Sequence, residues 1–536
     1  MTSELTCEAT PGPEVGGAPV PVPVDDPSRF FRTDHLLAEL KHRSVRGGLM
    51  TLTAQATKFV LQTGSTIVLA RLLAPSEFGL VAMVTAVTGF VAMFKDAGLS
   101  MATVQRDEIT HAQVSTLFWI NVALSLGAMA VVAALAPVIA WFYGEPRLVW
   151  ITLVLAGSFV FGGLTVQHQA LLRRQMRFRI LATIDIVSML AGVVTAIVMA
   201  ASGFGYWSLV GMAVAAAVTN CVQVWMASPW RPGLPRRRAG TRPMLAFGGT
   251  ITLVALVAYL MSSLPSVLMG AVFGGHALGL YSRASALLLL PMTQVITATN
   301  AVMVPALSRM AGDRARLANA YRRLVVVVGA AAALLIPPII GASDWVVAVA
   351  LGSQWTEAAG LLVALGALAF FEPLARVTHL LFLAQGRADL YLKWTLFSFV
   401  LVVAALPIGL CWGALGLVTS YVVAAGCIRV PLLFWYVGRH TSIRVATILG
   451  ALAPSLASAL AVLLAVVVTR LTLSAIAPLG GLVVCAGVAL AVWAVTFCLV
   501  PGGSETTMAI RSLIQGLRAR DVTQARATDS GISSCG

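Results

Sequence analysis

From about residue 45 to about residue 500 the sequence is a train of apolar runs, each long enough to cross a bilayer as a helix and each ended by a short break carrying arginine. A helix needs ~20 apolar residues to span ~30 Å of hydrocarbon. Hydrophobic residues make up 59% of the chain and charged residues 11%, a balance that a water-soluble domain does not carry. Only helices and closed barrels satisfy every backbone polar group in lipid, and barrel strands would alternate in short segments. The fold class is therefore an all-α polytopic membrane protein. The polar breaks predict about fourteen helices, over 46–72, 78–97, 114–142, 148–170, 181–201, 206–227, 244–271, 279–304, 320–342, 356–383, 389–410, 414–437, 446–470 and 478–500.

The charges in the breaks set an orientation, because lysine and arginine concentrate on the cytoplasmic side. Bases cluster before the first helix (Lys41, Arg43, Arg46) and after every even-numbered one, as in Arg173–Arg174–Arg177–Arg179, Arg236–Arg237–Arg238 and Arg309–Arg314–Arg316. The alternate breaks hold little beyond Arg71, Arg147 and Arg470. Both termini are thus expected in the cytoplasm of a bacterial cell, beneath the inner membrane. The net charge of +15 follows from this distribution. Bases spread over membrane edges meet anionic lipid headgroups and do not form the single basic face that a nucleic acid requires.

The seven cysteines lie mostly inside helices and form no CxxC, so neither a disulfide framework nor a metal site is expected. Residues 1–45 read as a disordered arm with a basic, apolar interfacial stretch before the first helix, and no signal peptide is recognisable. The predicted organisation continues with a six-helix bundle over 46–227, a basic linker over 228–243, a second bundle over 244–437, an extra helix pair over 446–500 and a cytoplasmic tail over 501–536.

The two bundles show an internal repeat. Gly47-Gly48, Thr51-Leu52 and Ala54 match Gly248-Gly249, Thr252-Leu253 and Ala255. Phe78-Gly79-Leu80 matches Leu278-Gly279-Leu280, and Gly205 with Ser208-Leu209-Val210 matches Gly413 with Gly416-Leu417-Val418. All three pairs stand roughly two hundred residues apart. Both halves start from the same side, so the repeat is parallel, the arrangement of alternating-access transporters with a substrate site between the halves.

Polar stripes mark where a polar cargo would sit. On the first helix Thr51, Gln55, Lys58, Gln62 and Ser65 recur at helical steps on one face. The seventh carries Thr252, Tyr259, Ser263 and Ser266, and the eighth Thr293, Thr297 and Asn300. For the hydroxyl residues, plain helix–helix hydrogen bonding is the competing explanation. Lys58 is the sharper candidate, since a charge at mid-helix costs roughly 3 kcal/mol on insertion scales and no acid stands near it in sequence. Arg283 is either a second cavity cation or a side chain snorkelling to headgroups. Glu372 and Arg376, four residues apart, form either a self-neutralised pair or a switchable one. Asp185 is a candidate for a coupling cation, as is Glu372, although pairing of Asp185 with Arg179 or another loop base is the simpler expectation. The cavity residues are then Lys58, Gln55, Gln62, Thr51, Arg283, Asn300 and Arg376. No nucleotide-binding loop, HExxH or acidic metal cluster is present in the sequence, so no enzyme, cofactor or primary pump is implied.

Several segments together point to a family. LARLLAPSEFGLVAM at Leu69–Met83, DAGLSMATVQR at Asp96–Arg106, STLFWIN at Ser115–Asn121, WFYGEP at Trp141–Pro146, QHQALLRRQMRF at Gln167–Phe178 and GFGYWSLV at Gly203–Val210 stand in this order. They resemble the polysaccharide-transporter (Wzx-type, colanic-acid-exporter-like) branch of the multidrug/oligosaccharidyl-lipid/polysaccharide exporter (MOP) superfamily. The second half resembles it in helix layout and in LGLYSRA at Leu278–Ala284. The resemblance implies a flippase for an undecaprenyl-diphosphate-linked oligosaccharide, with a MOP/MATE-like fold of two six-helix bundles in a V and, in many members, two further helices. It also implies contact with membrane lipids and work alongside polysaccharide polymerase and glycosyltransferases. A lipid II-type flippase, a drug/cation antiporter of the same superfamily and a non-transporting assembly scaffold are the other readings.

Overall fold

The computed structural model describes residues 40–92, 109–235, 242–309, 314–385, 387–441, 443–473 and 476–499, with Ser100 and Thr103. The expected N-terminal arm up to residue 39, most of the basic stretch of the linker and the C-terminal tail lie outside the described residues.

Fourteen long helices, and no strand, are found among the described residues. They are α1 (Leu40–Leu72), α2 (Pro75–Ala92), α3 (His111–Tyr143), α4 (Leu148–Arg174), α5 (Phe178–Ala201) and α6 (Trp207–Ala227). The run Arg242–Arg309 bends at Gly274 (φ 79, ψ −177) into α7 (242–273) and α8 (275–309). Then come α9 (Arg314–Gly341), α10 (Ala358–Ala384), α11 (Ala388–Leu410), α12 (Gly413–His440), α13 (Val445–Thr472) and α14 (Pro478–Leu499). Eleven helical stretches among the described residues are long and apolar enough to cross a membrane, one of them the bent run Leu256–Thr297. Helix α1 is not among them, because its polar stripe dilutes its apolar residues.

The packing falls into two six-helix bundles and a pair. In the first bundle α1 lies on α5, α5 on α6, α6 on α4, and α4 on α3 and α2. In the second, α10 touches the bent α7–α8 run, α9 and α12, and α11 packs on α12. The appended α13 and α14 clamp onto α9. There Gly329 opens against Ser455, and the Trp493 indole donates to the Ala330 carbonyl at 3.0 Å. Small residues at these crossings let backbones approach, which is how helices associate where lipid removes the hydrophobic drive. On the outer face of α13, Leu460 (62% exposed), Leu464 (66%), Val468 (58%) and Leu471 (69%) form an uncovered apolar stripe, as a lipid-facing surface requires.

The helix ends follow local sequence. Pro75 begins α2, and the Glu77 carboxylate accepts the Ala74 N–H at 2.8 Å. Helix α3 starts with a reciprocal cap between Thr110 and Gln113 and stops at Gly144 (φ 67). The sequence predicted a break of several residues between helices seven and eight. Gly274 alone makes that turn, since its φ and ψ are ones that only glycine adopts freely. A break was likewise predicted after helix nine. The structure fills it with a short helix, Ser343–Ala350, and a 3₁₀ turn, Ser353–Trp355.

Helix lengths carry the repeat into three dimensions. Helices α4 and α10 are both 27 residues long, starting at 148 and 358. Helix α6 begins two residues after Gly205 and α12 begins at Gly413, both glycines with positive φ.

Candidate functional site

The first charged group lies between α1 and α5. The Lys58 ammonium is 2.5 Å from an Asp185 carboxylate oxygen, with 25% and 43% of the two side chains exposed. The two residues are 127 apart in sequence, so only the packing of α1 on α5 unites them. This corrects the expected pairing of Asp185 with Arg179 or a loop base. A lone ammonium at mid-helix is costly, and the neighbouring helix supplies its counter-ion. Gln55 is half-buried and Gln62 exposed on the same helix, while the Thr51 side chain lies outside the described residues. At a 1.5 Å rise per residue, Lys58 sits about 20 Å along α1 from its end at Leu72.

The second group lies inside the other bundle. Glu372 accepts from Arg376 Nε at 3.3 Å and also from the Arg429 guanidinium. Arg429 is 3% exposed; its Nε donates to the Ala425 carbonyl at 3.0 Å and its Nη1 lies 3.7 Å from the Met261 sulfur. The self-neutralised Glu372–Arg376 pair is therefore a triad with one excess positive charge. Sequence reasoning missed Arg429. Its position inside α12 was the available signal, but the four-residue spacing of Glu372 and Arg376 had already accounted for the acid. A π turn, Val423–Ile428, runs directly into Arg429 and re-aims it toward α10. His379 completes the group, with its ring 5.1 Å from Tyr391 and a buried, unpartnered Nε2.

The triad makes a stability prediction. Arg429→Met removes one partner of a buried pair and is expected to cost about 3–5 kcal/mol. The double substitution Glu372→Gln with Arg429→Met is expected to recover most of that loss. Thermal unfolding of the detergent-solubilised protein checks this, and a single mutant as stable as the wild type contradicts it.

The bundles meet where α2 packs on the bent α7–α8 run; the contact is tightest at the end where α1 turns into α2 and α7 into α8, and it continues along α2 to Tyr259 of α7, whose hydroxyl lies 3.0 Å from the Thr85 carbonyl oxygen. Two contacts there are related by the repeat. A Cβ on Gly79 would lie 1.7 Å from the Gly275 carbonyl oxygen, and one on Gly279 would lie 1.8 Å from the Pro75 carbonyl oxygen. The glycines therefore allow backbone to touch backbone. The 3₁₀ turn reinforces this seam. Gln354 Nε2 and Trp355 Nε1 each donate to the Ala70 carbonyl at 2.7 Å, satisfying the free end of α1 from the opposite bundle. Trp355 also packs edge-on against Phe78 at 5.4 Å, and Arg71 donates to the Val349 carbonyl at 2.8 Å.

Arg283 belongs to this seam. Its guanidinium lies 4.7 Å from the Phe78 ring centroid and its Nε is buried without a partner. It is neither beside Lys58 nor extended toward headgroups. Gln62, Thr85, Ser262, Thr293 and Thr297 are exposed on α1, α2, α7 and α8. The Asn300 side chain lies outside the described residues. Among the described residues no group of three His, Cys, Asp or Glu side chains is placed to hold a metal ion.

Comparison with known proteins adds the following. Residues 68–360 match the family described as "Polysaccharide biosynthesis protein". The "Lipopolysaccharide biosynthesis protein WzxC" of Escherichia coli K12 is 25% identical over 377 residues, 69% of this chain and 76% of that protein. The "Teichuronic acid biosynthesis protein TuaB" of Bacillus subtilis is 25% identical over 57% of this chain and 64% of its own length. The "Succinoglycan biosynthesis transport protein ExoT" of Rhizobium meliloti is 29% identical over 54% of this chain and 59% of its own length. Among solved structures, lipid II flippase MurJ in an inward closed conformation superposes with a TM-score of 0.67 at 13% identity, covering 88% of this chain and all of that one. An inward-facing MATE transporter of the MOP superfamily gives 0.58 at 14% identity over 75% of this chain and 98% of that one. These two likenesses establish the MOP-type fold.

Proposed function

We propose, from the premise that this integral membrane protein belongs to the polysaccharide biosynthesis protein family, that it is a flippase carrying a lipid-diphosphate-linked oligosaccharide across the inner membrane. By this assignment it is a transporter and not an enzyme. The observation that carries the reading is the two-bundle fold joined by a backbone-tight seam at one end, with exposed polar groups on α1, α2, α7 and α8.

The mechanism follows from where charge can be exchanged. The Lys58–Asp185 pair is partly exposed, so an incoming phosphate can take the ammonium without first opening a dry core. A diphosphate carries more negative charge than Asp185 and makes charge-assisted hydrogen bonds to lysine. Gln55 and Gln62 on the same helix offer amide groups to sugar hydroxyls. The triad at Glu372 neutralises itself apart from one charge, and the exposed Arg376 carries that charge toward solvent. The polyprenyl tail stays in the bilayer between the bundles. Opening at the seam and closing at the other end then delivers the sugar to the opposite side.

Orientation follows from the positive-inside rule. Arg173, Arg174, Arg177 and Arg179 cluster at the end opposite the seam. The seam therefore faces the periplasm, and the structure is an inward-facing state. Cysteines at His276 and Glu357, both exposed at the seam end, are expected to react with an impermeant maleimide added to whole cells. A cysteine at the exposed Arg179 is expected to react only after the cells are opened. The reverse pattern would invert the assignment of the two ends.

A further inference from the structure

A second polar place exists inside the first bundle, apart from Lys58. On α4, Ser158, Gly162, Thr165, Gln169 and Arg173 recur at steps of four, three, four and four residues and so share one face. Together with Asn220 of α6 they line a cavity of about 370 Å³. That volume lies within the range of about 300–1,000 Å³ typical of small-ligand sites.

The groups on its wall have capacity to spare. The Ser158 and Thr165 hydroxyls donate to the Leu155 and Gly162 carbonyls of their own helix, at 2.6 Å and 2.8 Å, and their oxygens remain free to accept. Gln169 Nε2 donates to Asn220 Oδ1 at 3.0 Å, which leaves the Gln169 carbonyl as an acceptor and the Asn220 amide as a donor. Arg173 is exposed at one end of the row and has no ion pair among the described residues. The cavity thus offers acceptors, a donor and one cation, within a bundle that otherwise faces lipid.

The equivalent place in the other bundle is filled. Helices α4 and α10 have equal length and start at 148 and 358, an offset of 210. By that offset Gly162 corresponds to Glu372 and Gln169 to His379. Helix α6 follows Gly205 and α12 starts at Gly413, an offset of 208 that the π turn before Arg429 raises by one residue, so that Asn220 corresponds to Arg429. Where the second bundle puts a closed ion pair, Glu372 with Arg429, the first puts Gly162, Asn220 and open space.

We propose that this cavity is a saccharide subsite that receives a pyranose bearing an anionic substituent. Arg173 pairs with the anion, and the Gln169–Asn220 amides pair with ring hydroxyls. The proposal rests on the flippase reading and names a part of the cargo that the diphosphate contact at Lys58 does not reach. The anion has two possible sources, an acidic sugar or a linking phosphate, and both present the same chemistry to Arg173.

The test uses the full chain in nanodiscs of zwitterionic lipid, with saturation-transfer NMR of glucuronic acid, glucose 1-phosphate and glucose. Transfer to at least one anionic probe is expected to exceed that to glucose; which of the two is stronger identifies the source. Arg173→Gln, an exposed substitution that leaves the helix packing alone, is expected to cut the anionic signal at least fivefold, to the level of glucose. Arg173→Lys is expected to keep most of it. Gln169→Leu is expected to weaken all three probes. Absence of transfer from both anionic probes, or equal transfer in wild type and Arg173→Gln, overturns the subsite. Exposure of lipid-linked oligosaccharide by the same wild-type protein, reconstituted into sealed proteoliposomes, is measured in parallel. Exposure without probe binding removes the subsite and leaves the flippase reading standing, whereas probe binding without exposure supports the subsite and removes the flippase reading.

Discussion

Gly79→Val is expected to abolish export of the lipid-linked cargo, with a loss of at least tenfold, and Gly279→Val is expected to do the same. Even the first carbon of a side chain at Gly79 would fall 1.7 Å from the Gly275 carbonyl oxygen, and at Gly279 it would fall 1.8 Å from that of Pro75. Both obstacles are backbone, so no side-chain rotation relieves them. The two helices must move apart, and the seam then stays open in a state that should be closed. Alternating access fails when one of its two closures is lost. Gly127→Ala and Gly157→Ala serve as controls, since a Cβ at either position meets nothing within 4 Å. These controls are expected to export normally and to gain slightly from the better helix propensity of alanine. Normal export by a well-expressed Gly79→Val protein would exclude the seam as a gate.

Lys58→Ala is expected to reduce export at least tenfold while the protein accumulates at close to its normal level. The separation of the two effects follows from exposure. With 25% of Lys58 and 43% of Asp185 exposed, the pair resembles a surface ion pair more than a buried one, and such pairs contribute about 1 kcal/mol or less. A large loss of export therefore has to come from lost contact with cargo. Lys58→Arg should keep part of the activity, because the charge survives while the geometry changes. Asp185→Asn should be milder than Lys58→Ala, since it removes the competitor and keeps the cation. Protein abundance measured beside cell-surface oligosaccharide separates transport from folding. Export at wild-type level in a stable Lys58→Ala protein would take this residue out of the mechanism.

Much of the architecture was legible because the membrane makes the sequence repetitive. Long apolar runs gave helices, and alternating basic breaks fixed their number. The matched Phe78-Gly79-Leu80 and Leu278-Gly279-Leu280 segments signalled a repeat, and the structure supplies their physical purpose, since each glycine faces the other half at the seam. The pairing of Lys58 with Asp185 was not legible, because the partners are 127 residues apart and meet only when α1 lies on α5. Arg429 was obscured by a nearer and plausible partner for Glu372. Arg283 was read as a cavity or headgroup cation, and its place over Phe78 depends on the crossing of α2 and α8. The turn between α7 and α8 was misjudged in length, because the residues on either side of Gly274 stay helical once Gly274 alone takes the positive φ. The π turn before Arg429 has no counterpart in the apolar pattern that predicted a plain helix there.

The account's central claim is that cargo crosses when the α2–α8 seam opens. A Cβ at Gly270 would lie 3.1 Å from Met83 Cγ, so cysteines at Gly270 and Met83, in a chain whose native cysteines are replaced, are close enough to be linked across the seam. The measurement is exposure of a lipid-diphosphate-linked oligosaccharide on the seam side of proteoliposomes. The oxidised, crosslinked protein is predicted to expose none above the protein-free background, and reduction of the disulfide is predicted to restore the rate of the uncrosslinked chain. Undiminished exposure by fully crosslinked protein would contradict the account.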